Sequence, residues 1–392
     1  MQKFVLKICP LEWGNESRDK RELSVYQELG ARVLVLAKGE AGDEGRVREI
    51  DGFPVLGCST RPLGKWAPAP VNRAVSLLTW AHTARRLSPD VISGHDILGL
   101  AIGWMSGVFR AEKPKLIYDS HEFELGRFAE RGRFQLFCIK HLERFLMKKS
   151  CFSVMVNDSI ADEVRRIHRL KERPIVVRST PSRWEISKEV CRDTRKELLA
   201  RFPSAAVKKL IMFHGCLGRG NGIETLLPIL ARHGELGLVL LGEQTDGDLC
   251  EEVCRTAEEL GVSDRILFHP AVTLSELGKY VGAVDVEMML IEPVSRSYYY
   301  ALPNKLFEAI QSEVPMVASD LPEMKRIVEV YEIGLCCAPG DAEAADACLT
   351  KLLTDRDFYD RCRKNLKTAK ESLCWEKEKK VLLNAYERHI GA

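Results

Sequence analysis

The stretch from Lys208 to Leu241, KKLIMFHGCLGRGNGIETLLPILARHGELGLVLL, determines how the rest of the chain can be interpreted. It opens with a strand-length apolar run, KKLIMFHG, and passes through a glycine-rich loop into a segment of helical periodicity that starts near Ile223. A second apolar run, LGLVLLG, follows. A strand, a helix and another strand in this order predict a parallel sheet covered by helices.

The same alternation extends towards both ends of the chain. Strand-length runs further on are RILFHP, VDVEMML, VPMVASD and IGLCCAP, and those in the first half are KFVLKICP, RVLVLAK, DVIS, KLIYDS, SVMVN and IVVRS. The pattern restarts after Pro181, which predicts two similar doubly wound α/β halves with a hinge at residues 180–182. We expect an N-terminal domain over residues 1–180, a C-terminal domain over 181–370 and a closing helical segment over 371–392.

Length and composition are those of a two-domain globular enzyme. The 392 residues are 45% hydrophobic and 29% charged, and no apolar run is long enough to cross a membrane. The first ten residues lack the features of a signal peptide, so the sequence predicts a cytoplasmic protein. Its 13 cysteines include no CxxC pair, which favours reduced thiols over disulfides or a structural zinc site.

Charge is distributed unevenly between the halves. The first 180 residues hold 30 Lys and Arg against 22 Asp and Glu, whereas the remainder hold 28 against 34. A basic half joined to an acidic half predicts different partners for each.

The glycine-rich loop, His214 to Gly222, is the first candidate binding segment. It follows a strand and precedes a helix, where parallel sheets bind ligands. Its four glycines allow backbone amides to approach a ligand closely, and the following helix N-terminus favours a phosphate. The loop matches neither a Walker loop nor GxGxxG. The alternative is a turn that only packs a helix on a strand.

The second candidate is SYYYALPNKLFEAI, residues 297–310. Pro303 and Asn304 suit a helix start, and Lys305 lies in the first turn. Glu308 follows one turn later, where its carboxylate can accept hydrogen bonds from vicinal hydroxyls such as those of a ribose. Compensation of the helix dipole is the alternative for Glu308.

The third and fourth candidates are histidines at strand ends in the first half. His121 lies in YDSHE and His95 in SGHD. A histidine in this position can donate a hydrogen bond to a sugar hydroxyl or to developing negative charge. A purely structural role is the alternative for both, and the case for His95 is the weaker one.

Taken together, these segments resemble the retaining glycosyltransferases of family four, a GT-B group that includes sugar transferases of bacterial surface polysaccharides. LPNKLFEAIQSEVPMVASDLPEMKRIV resembles the donor-site helix of that family, and FHGCLGRGNGIETLL its diphosphate loop. DRILFHPAVTLSELGKYVGAVDV is similar to the segment beside the nucleotide base, and residues 372–386 to the C-terminal helix that returns to the first domain. The resemblance implies two Rossmann-like, doubly wound parallel-sheet domains facing a cleft.

The resemblance also implies roles for individual residues. Glu308 matches the second glutamate of the Glu-x7-Glu pair that holds the donor ribose, and His121 matches the histidine beside the donor sugar. The residues expected to be catalytic are His121, Glu308, Arg219 and Lys305. Those expected to contact the donor are Gly14, Gly215, Cys216, Gly218, Gly220, Asn221, Tyr300, Leu302, Pro303 and Asn304.

Three positions depart from the family pattern. Tyr300 stands where the first glutamate of the pair is expected, so the identity of the sugar is left open. Cys216 and Asn221 replace the arginine and lysine that usually bind the diphosphate. Arg219 and Lys305 are the available substitutes.

By resemblance, the reaction is transfer of a sugar from a nucleotide-diphosphate sugar to a hydroxyl, with retention and without a metal or other cofactor. Asp246–Asp248 and Asp355–Asp357 spell the Asp-x-Asp pattern of metal-dependent transferases, but we interpret both as coincidences. A nucleotide-sugar epimerase and a non-catalytic nucleotide-sugar binder are the alternative functions.

The acceptor is expected to be a glycan or a lipid-linked molecule. Arg127 to Lys149 carries seven Lys and Arg against two Glu, interleaved with apolar residues that include Phe128. Such a basic amphipathic helix can lie on an anionic membrane, which would place the protein at its inner face. Val71 to Arg86, with Trp80 and the nearby Trp66, is a second candidate contact. A core helix with a solvated basic face is the alternative, and nucleic acid is not expected as a partner.

Overall fold

The computed structural model describes residues 2–14, 17–39, 45–64, 66–127 and 131–391. The chain divides into two compact units, one formed by Met1–Arg178 with Lys379–Ala392 and the other by Ser179–Glu378. All 13 cysteines lie within the described ranges and are free thiols.

The first unit is built on an eight-stranded sheet with helices between its strands. Its elements are β1 (Phe4–Glu12), α1 (Ser17–Glu28), β2 (Arg32–Lys38), β3 (Val47–Ile50), β4 (Phe53–Cys58), α2 (Ala69–Leu87), β5 (Val91–His95), α3 (Asp96–Gly107), β6 (Lys115–Asp119), α4 (Arg133–Met147), β7 (Phe152–Met155), α5 (Asp158–His168) and β8 (Ile175–Val176). The strand order is β3-β4-β2-β1-β5-β6-β7-β8. Neighbouring strands are parallel, apart from the antiparallel pair β3 and β4.

The second unit is built on a six-stranded, fully parallel sheet in the order β11-β10-β9-β12-β13-β14. Its elements are α6 (Lys188–Arg201), β9 (Lys209–His214), α7 (Ile223–Arg232), β10 (Leu236–Leu241), α8 (Gly247–Glu259), β11 (Ile266–His269), α9 (Leu274–Val281), β12 (Val286–Met289), α10 (Arg296–Tyr299), α11 (Asn304–Gln311), β13 (Met316–Ser319), α12 (Pro322–Tyr331), β14 (Gly334–Cys337), α13 (Ala342–Thr354) and α14 (Arg356–Ser372). The prediction of two parallel-sheet α/β domains is confirmed.

Apolar cores cover both faces of the second sheet. Along β9, Leu210 and Met212 belong to one core, whereas Ile211 and Phe213 belong to the other. This alternation follows from the strand geometry, because successive side chains point to opposite faces. A strand buried on both sides reads as a continuous apolar run, which is why KKLIMFHG predicts a central parallel strand.

The last helix, α15 (Trp375–Ile390), runs from the second unit into the first. Within the first unit the ring of Tyr386 lies 4.8 Å from that of Tyr26, and the ammonium of Lys115 donates to the Ile390 carbonyl at 3.0 Å. Burial of Tyr386 and Ile390 fixes the end of the chain to the first unit.

Two glycines of the second unit are required by close backbone approach. Gly222 has φ +71°, and a Cβ there would lie 2.0 Å from the Leu290 carbonyl oxygen. Gly242, with φ +152°, would place a Cβ 1.7 Å from the carbonyl oxygen of Gly215. Any side chain at these positions would push apart the strand ends that form the glycine-rich loop.

Candidate functional site

The glycine-rich loop joins the end of β9 to the start of α7. The amide of Gly215 donates to Leu241 and that of Leu217 to Glu243, both at 2.8 Å, so the loop follows the end of β10. In the part of the chain that the structure describes, the amides of Cys216 and Gly218 donate to no protein acceptor. Free amides at the carboxyl end of a strand, next to a helix N-terminus, can bind an anion.

Asn221 holds this loop together. Its side-chain Nδ2 donates to the carbonyls of Gly218 at 3.1 Å and Cys216 at 3.3 Å. Its Oδ1 accepts a hydrogen bond from Nζ of Lys305 at 3.3 Å. The residue in the place of the family's lysine therefore shapes the loop and positions a cation that comes from another helix.

Lys305, in the first turn of α11, extends towards the same loop. Its Nζ lies 3.8 Å from the centroid of the Phe213 ring, and a Cβ built on Gly215 would lie 3.7 Å from its Cε. Desolvation lowers the pKa of Lys305 to about 8, although the carboxylates of Glu287 and Glu308 act in the opposite direction. A partly desolvated ammonium beside free amides is a strong attractor for a phosphate.

His214, the last residue of β9, lies between two glutamates. Its Nδ1 is 2.8 Å from Oε1 of Glu287, and its Nε2 is 2.9 Å from Oε2 of Glu308. The side chains of His214 and Glu287 are buried, whereas that of Glu308 is 14% exposed. The two carboxylates outweigh desolvation and raise the pKa of His214 to about 9. His214 is therefore an imidazolium at neutral pH and donates from both ring nitrogens.

Three other predicted donor-site residues have a weaker structural case than Lys305. Arg219 is exposed and pairs with Glu252 at 2.9 Å and with Asp246 at 3.4 Å, so its charge is engaged by α8. Cys216 is exposed, with Sγ 2.8 Å from Oγ1 of Thr245. Leu302 is a core residue, and its role in this structure is packing.

The remaining predicted contacts lie at helix ends and turns. Pro303 is the N-cap of α11 and Asn304 its first, exposed residue, as the sequence predicts. Tyr300 ends α10, with its ring 5.1 Å from that of Tyr299. Gly220 has φ +81° within the loop. Gly14 follows β1 with φ +143°, and its carbonyl accepts from Lys20.

In the first unit, His121 lies at the carboxyl end of β6 against two buried carboxylates. Its Nε2 is 3.1 Å from Oδ1 of Asp19 and 3.0 Å from Oδ2 of Asp119. Its ring stacks on that of His95 at 3.9 Å, and His95 in turn bonds Asp19 at 2.8 Å. Despite desolvation, the carboxylates raise the pKa of His121 to about 10 and that of His95 to about 9.

Two further cations complete this cluster. Nζ of Lys7, fully buried in β1, lies 2.8 Å from Asp19, 3.2 Å from Asp119 and 2.5 Å from Glu22. Arg18 donates to Asp119 at 2.9 Å. The structure thus brings His121 and His95 into one charged group in which every carboxylate is paired with a cation.

Metal-ligating side chains approach each other in this cluster. Cys9, Asp19 and His95 form one set of possible ligands, and Asp19, Asp119 and His121 form a second set. Lys7 already bonds the carboxylates of both sets, so a divalent ion there would face an adjacent ammonium. The Asp-x-Asp residues act locally as helix N-caps: Asp246 accepts from Leu249 and Asp355 from Phe358.

The predicted membrane helix over Arg127 to Lys149 is shorter than expected, and Trp80 of the second candidate contact, Val71 to Arg86, was wrongly assigned. Helix α4 begins at Arg133, and Phe128 lies outside the described residues. Arg127 and Arg131 precede the helix and pair with carboxylates of the first unit. Trp80 is 2% exposed and donates to the Ser59 carbonyl, so it is a core residue and not a membrane contact, whereas Trp66 is exposed. Among the described residues, no helix combines the length and apolarity needed to span a bilayer.

The sequence did not predict several residues of the charged clusters around His214 and His121. Glu287 and Lys7 are charged residues within apolar strands, VDVEMML and KFVLKICP. A charge at a position that a parallel sheet buries is itself a signal of a paired, functional group. Asp19 and Glu22 gave no such signal, because charged residues are ordinary on the exposed face of a helix.

Family comparisons assign the class. Residues 23–180 match the family model of the glycosyl transferase 4-like domain, and residues 194–369 match that of the glycosyl transferases group 1. With two parallel-sheet units that carry clustered charges at strand ends, the chain is a glycosyltransferase of the GT-B architecture. No curated protein sequence matches the chain closely.

Solved structures share this fold across their full lengths. Sucrose-phosphate synthase from Thermosynechococcus elongatus is 16% identical with a TM-score of 0.77, and the match covers 99% of each chain. HepE of Anabaena, solved in complex with UDP-glucose, is 14% identical with a TM-score of 0.75 over 100% of each chain. WaaG, a glycosyltransferase involved in lipopolysaccharide biosynthesis, is 14% identical with a TM-score of 0.66 over 99% of this chain and 100% of its own.

Proposed function

We propose that this enzyme transfers a sugar from a nucleotide-diphosphate sugar to a hydroxyl acceptor, with retention of anomeric configuration. The observation that carries the proposal is the convergence of Lys305, the glycine-rich loop and Glu308 at one end of the second sheet. An ammonium and free amides suit a diphosphate, and an adjacent carboxylate suits the hydroxyls of a ribose. The UDP-glucose complex of HepE, which has the same fold, supports this class of donor.

The diphosphate would lie between the loop amides and Lys305. The family's two loop cations are absent, and a lysine from α11 reaches the loop in their place. Arg219 is exposed and already paired, so we assign it at most a peripheral role. The cationic form of Lys305 would stabilise the negative charge that builds up on the leaving nucleoside diphosphate.

The chemistry follows from the departure of this leaving group. The bond between the anomeric carbon and the diphosphate oxygen breaks, and a bond from the acceptor oxygen forms on the same face. The acceptor proton passes to an oxygen of the donor diphosphate. This route uses no protein nucleophile and no metal, and His121, held as an imidazolium by Asp19 and Asp119, would donate to the donor sugar.

Helix α4 supports a contact between the first unit and an anionic membrane that carries the acceptor. Phe134 and Phe137 are 78% and 59% exposed, and they share a helix face with the exposed Leu142 and Phe145. Cations on the same helix and just after it are Arg133, Lys140, Arg144, Lys148 and Lys149. Exposed aromatic residues flanked by cations suit an interface of apolar chains and anionic headgroups. We propose that the acceptor is lipid-linked and serves the synthesis of a cell-surface glycan at the inner face of the membrane.

A donor screen followed by product analysis tests the function. Thermal-shift measurements with UDP-, GDP-, ADP- and TDP-sugars should show stabilisation by at least one of them through mass action. Incubation with that donor and a panel of glycan or lipid-linked acceptors should yield a product whose anomeric NMR signals show retention. Isomerisation of the donor alone would favour an epimerase, and binding without turnover would favour a non-catalytic binder. Inversion would reject the proposed stereochemistry.

A further inference from the structure

A buried histidine links two glutamates at the carboxyl end of strand β9 in the second sheet. His214 bonds Glu287 on one side at 2.8 Å and Glu308 on the other at 2.9 Å. The backbone amide of His214 also donates to the same Oε1 of Glu287, at 3.3 Å. Neighbouring strands therefore fix the imidazolium: Glu287 is on β12, and β9 lies beside it.

A buried arrangement of charges of this kind is weak evidence of a stabilising role. Buried ion pairs are often no more stabilising than apolar side chains of similar size, because both charges lose their hydration. The other carboxylate oxygen of Glu287, Oε2, is buried without a hydrogen-bond partner among the described residues. An unpaired buried acceptor destabilises the native state, and a functional role is one explanation for retaining it.

Glu308 differs from Glu287 in its access to solvent. Its Oε2 accepts from His214, and no described residue donates to its Oε1. The side chain is 14% exposed, so Oε1 can be reached from outside the protein. A carboxylate with one oxygen fixed by a charged donor has a single orientation in which the other oxygen can accept from a ligand.

We propose that the Glu287–His214 pair positions Glu308, so that one oxygen of Glu308 is held by the imidazolium and the other accepts from the ribose hydroxyls of the donor. This inference rests on the proposed function, in which Glu308 contacts the ribose. His214 acts as a positioning residue and does not touch the donor. The charged groups that act on it are Glu287 and Glu308, and the same two carboxylates also act on the ammonium of Lys305.

The two amide substitutions of His214 separate its two hydrogen bonds. In His214→Gln the side-chain amide can take the place of Nε2 and still donate to Glu308, whereas in His214→Asn it can take the place of Nδ1 and loses Glu308. UDP and GDP are measured by calorimetry, each beside its 2′,3′-dideoxy analogue, which lacks the hydroxyls that Glu308 would bind. His233→Asn is the matched control, since His233 bonds Asp346 at 2.6 Å elsewhere in the same unit.

For the nucleotide that binds the wild type more tightly, we expect His214→Asn to weaken binding about tenfold, the loss of one charged hydrogen bond. His214→Gln should recover most of that loss, and binding of the dideoxy analogue should change less than about twofold in any variant. If a His214 variant fails to fold, Glu287→Gln provides the same test. It removes one of the two carboxylates that raise the pKa of His214. It should weaken binding of the ribonucleotide about threefold without affecting binding of the dideoxy analogue.

Glu308→Gln distinguishes the two levels of the proposal. The positioning role is rejected if Glu308→Gln weakens binding of the ribonucleotide but His214→Asn does not. It is also rejected if His214→Asn weakens binding of the dideoxy analogue as much as binding of the ribonucleotide. In both cases the proposed donor site is retained. If Glu308→Gln has no effect on binding of a nucleotide that binds the wild type, the ribose contact itself is rejected, and the positioning role falls with it.

Discussion

Nζ of Lys305 and Oδ1 of Asn221 lie 3.3 Å apart, and this contact joins helix α11 to the glycine-rich loop. Asn221 occupies the place of a family lysine, and Lys305 supplies a cation near that place from another element. The loop's own cation, Arg219, pairs with Glu252 and Asp246. In the proposed donor site, Lys305 would therefore supply the positive charge next to the loop.

Replacing Lys305 by methionine should weaken donor binding by about tenfold to a hundredfold, because one charge-assisted contact to the diphosphate is lost. Calorimetry with the donor identified by thermal shift measures the effect. The melting temperature should stay within a few degrees, because removal of a desolvated ammonium relieves its burial. Unchanged affinity would exclude Lys305 from the diphosphate site.

The affinity of the wild type for its donor should also depend on pH. The pKa of free Lys305 is lowered to about 8, so the ammonium is present below this pH and is lost above it. Donor binding should therefore be strongest below pH 8 and decline as the pH rises through it, since the diphosphate keeps its charge throughout. The Lys305→Met variant should show a flat profile over the same range, and an equal decline in both proteins would contradict the assignment.

Replacing Glu308 by alanine should affect donor binding much more than stability. The side chain is partly exposed and its removal leaves His214 paired with Glu287, so only a small change in melting temperature is expected. Loss of the ribose contact should weaken binding of the donor by about tenfold or more. A variant that binds the donor normally would remove Glu308 from the site.

Replacing Asn221 by alanine should loosen the loop. The change removes hydrogen bonds to the carbonyls of Cys216 and Gly218, and it leaves Lys305 without its acceptor. We expect a loss of about 1 kcal/mol in unfolding free energy and a loss of about threefold to tenfold in donor affinity. An Asn221→Asp control keeps the acceptor for Lys305 but loses the donors to both carbonyls and adds a negative charge beside the diphosphate, so it should bind the donor no better than alanine. Unchanged affinity in Asn221→Ala would indicate that Asn221 positions neither the loop nor Lys305.

The charged cluster of the first unit should lose stability in alkali. The pKa of His121 is raised from 6.5 to about 10, so the folded state binds its proton more tightly than the unfolded state does. The stabilisation is complete below pH 6.5 and disappears as the pH rises through 10. The difference in melting temperature between wild type and His121→Gln should therefore shrink steadily from pH 6.5 to pH 10. A difference that stays constant over this range would show that His121 is neutral in the folded protein.

Phe134 and Phe137 are expected to carry the membrane contact of α4. Changing both to serine should reduce flotation with vesicles containing anionic lipid by about fivefold or more, because buried apolar area is lost. The control is Phe109→Ser, since Phe109 is equally exposed at 79% but lies outside α4. Equal binding of all variants, or equal binding to neutral vesicles, would contradict the contact.

Much of the fold could be predicted from the sequence because both sheets are parallel. KKLIMFHG and LGLVLLG contain the continuous apolar runs LIMF and LVLL, a pattern that a strand buried on both faces requires. Helix α11 starts at Asn304, where Pro303 and Asn304 predict a helix start, and α7 starts at Ile223, near which the sequence predicts a helix. These signals are local, since capping and backbone conformation depend on a few adjacent residues.

The composition of the two charged clusters could not be predicted in this way. His214 and Glu287 are 73 residues apart, and His121 and Asp19 are 102 apart. Burial of individual side chains is equally hard to predict from sequence. Trp80 was predicted to contact a membrane, but it is buried in the structure.

The sequence by itself determined the strands, the helices and the segments that lie at strand ends, because hydrophobic periodicity and glycine positions act over a few residues. Only the tertiary structure decided which charges meet: that Lys305 reaches the loop that Asn221 shapes, and that His214 joins Glu287 to Glu308. The physical reason is that electrostatic pairing depends on distance in space and on burial, and both are set when separate strands align in one sheet.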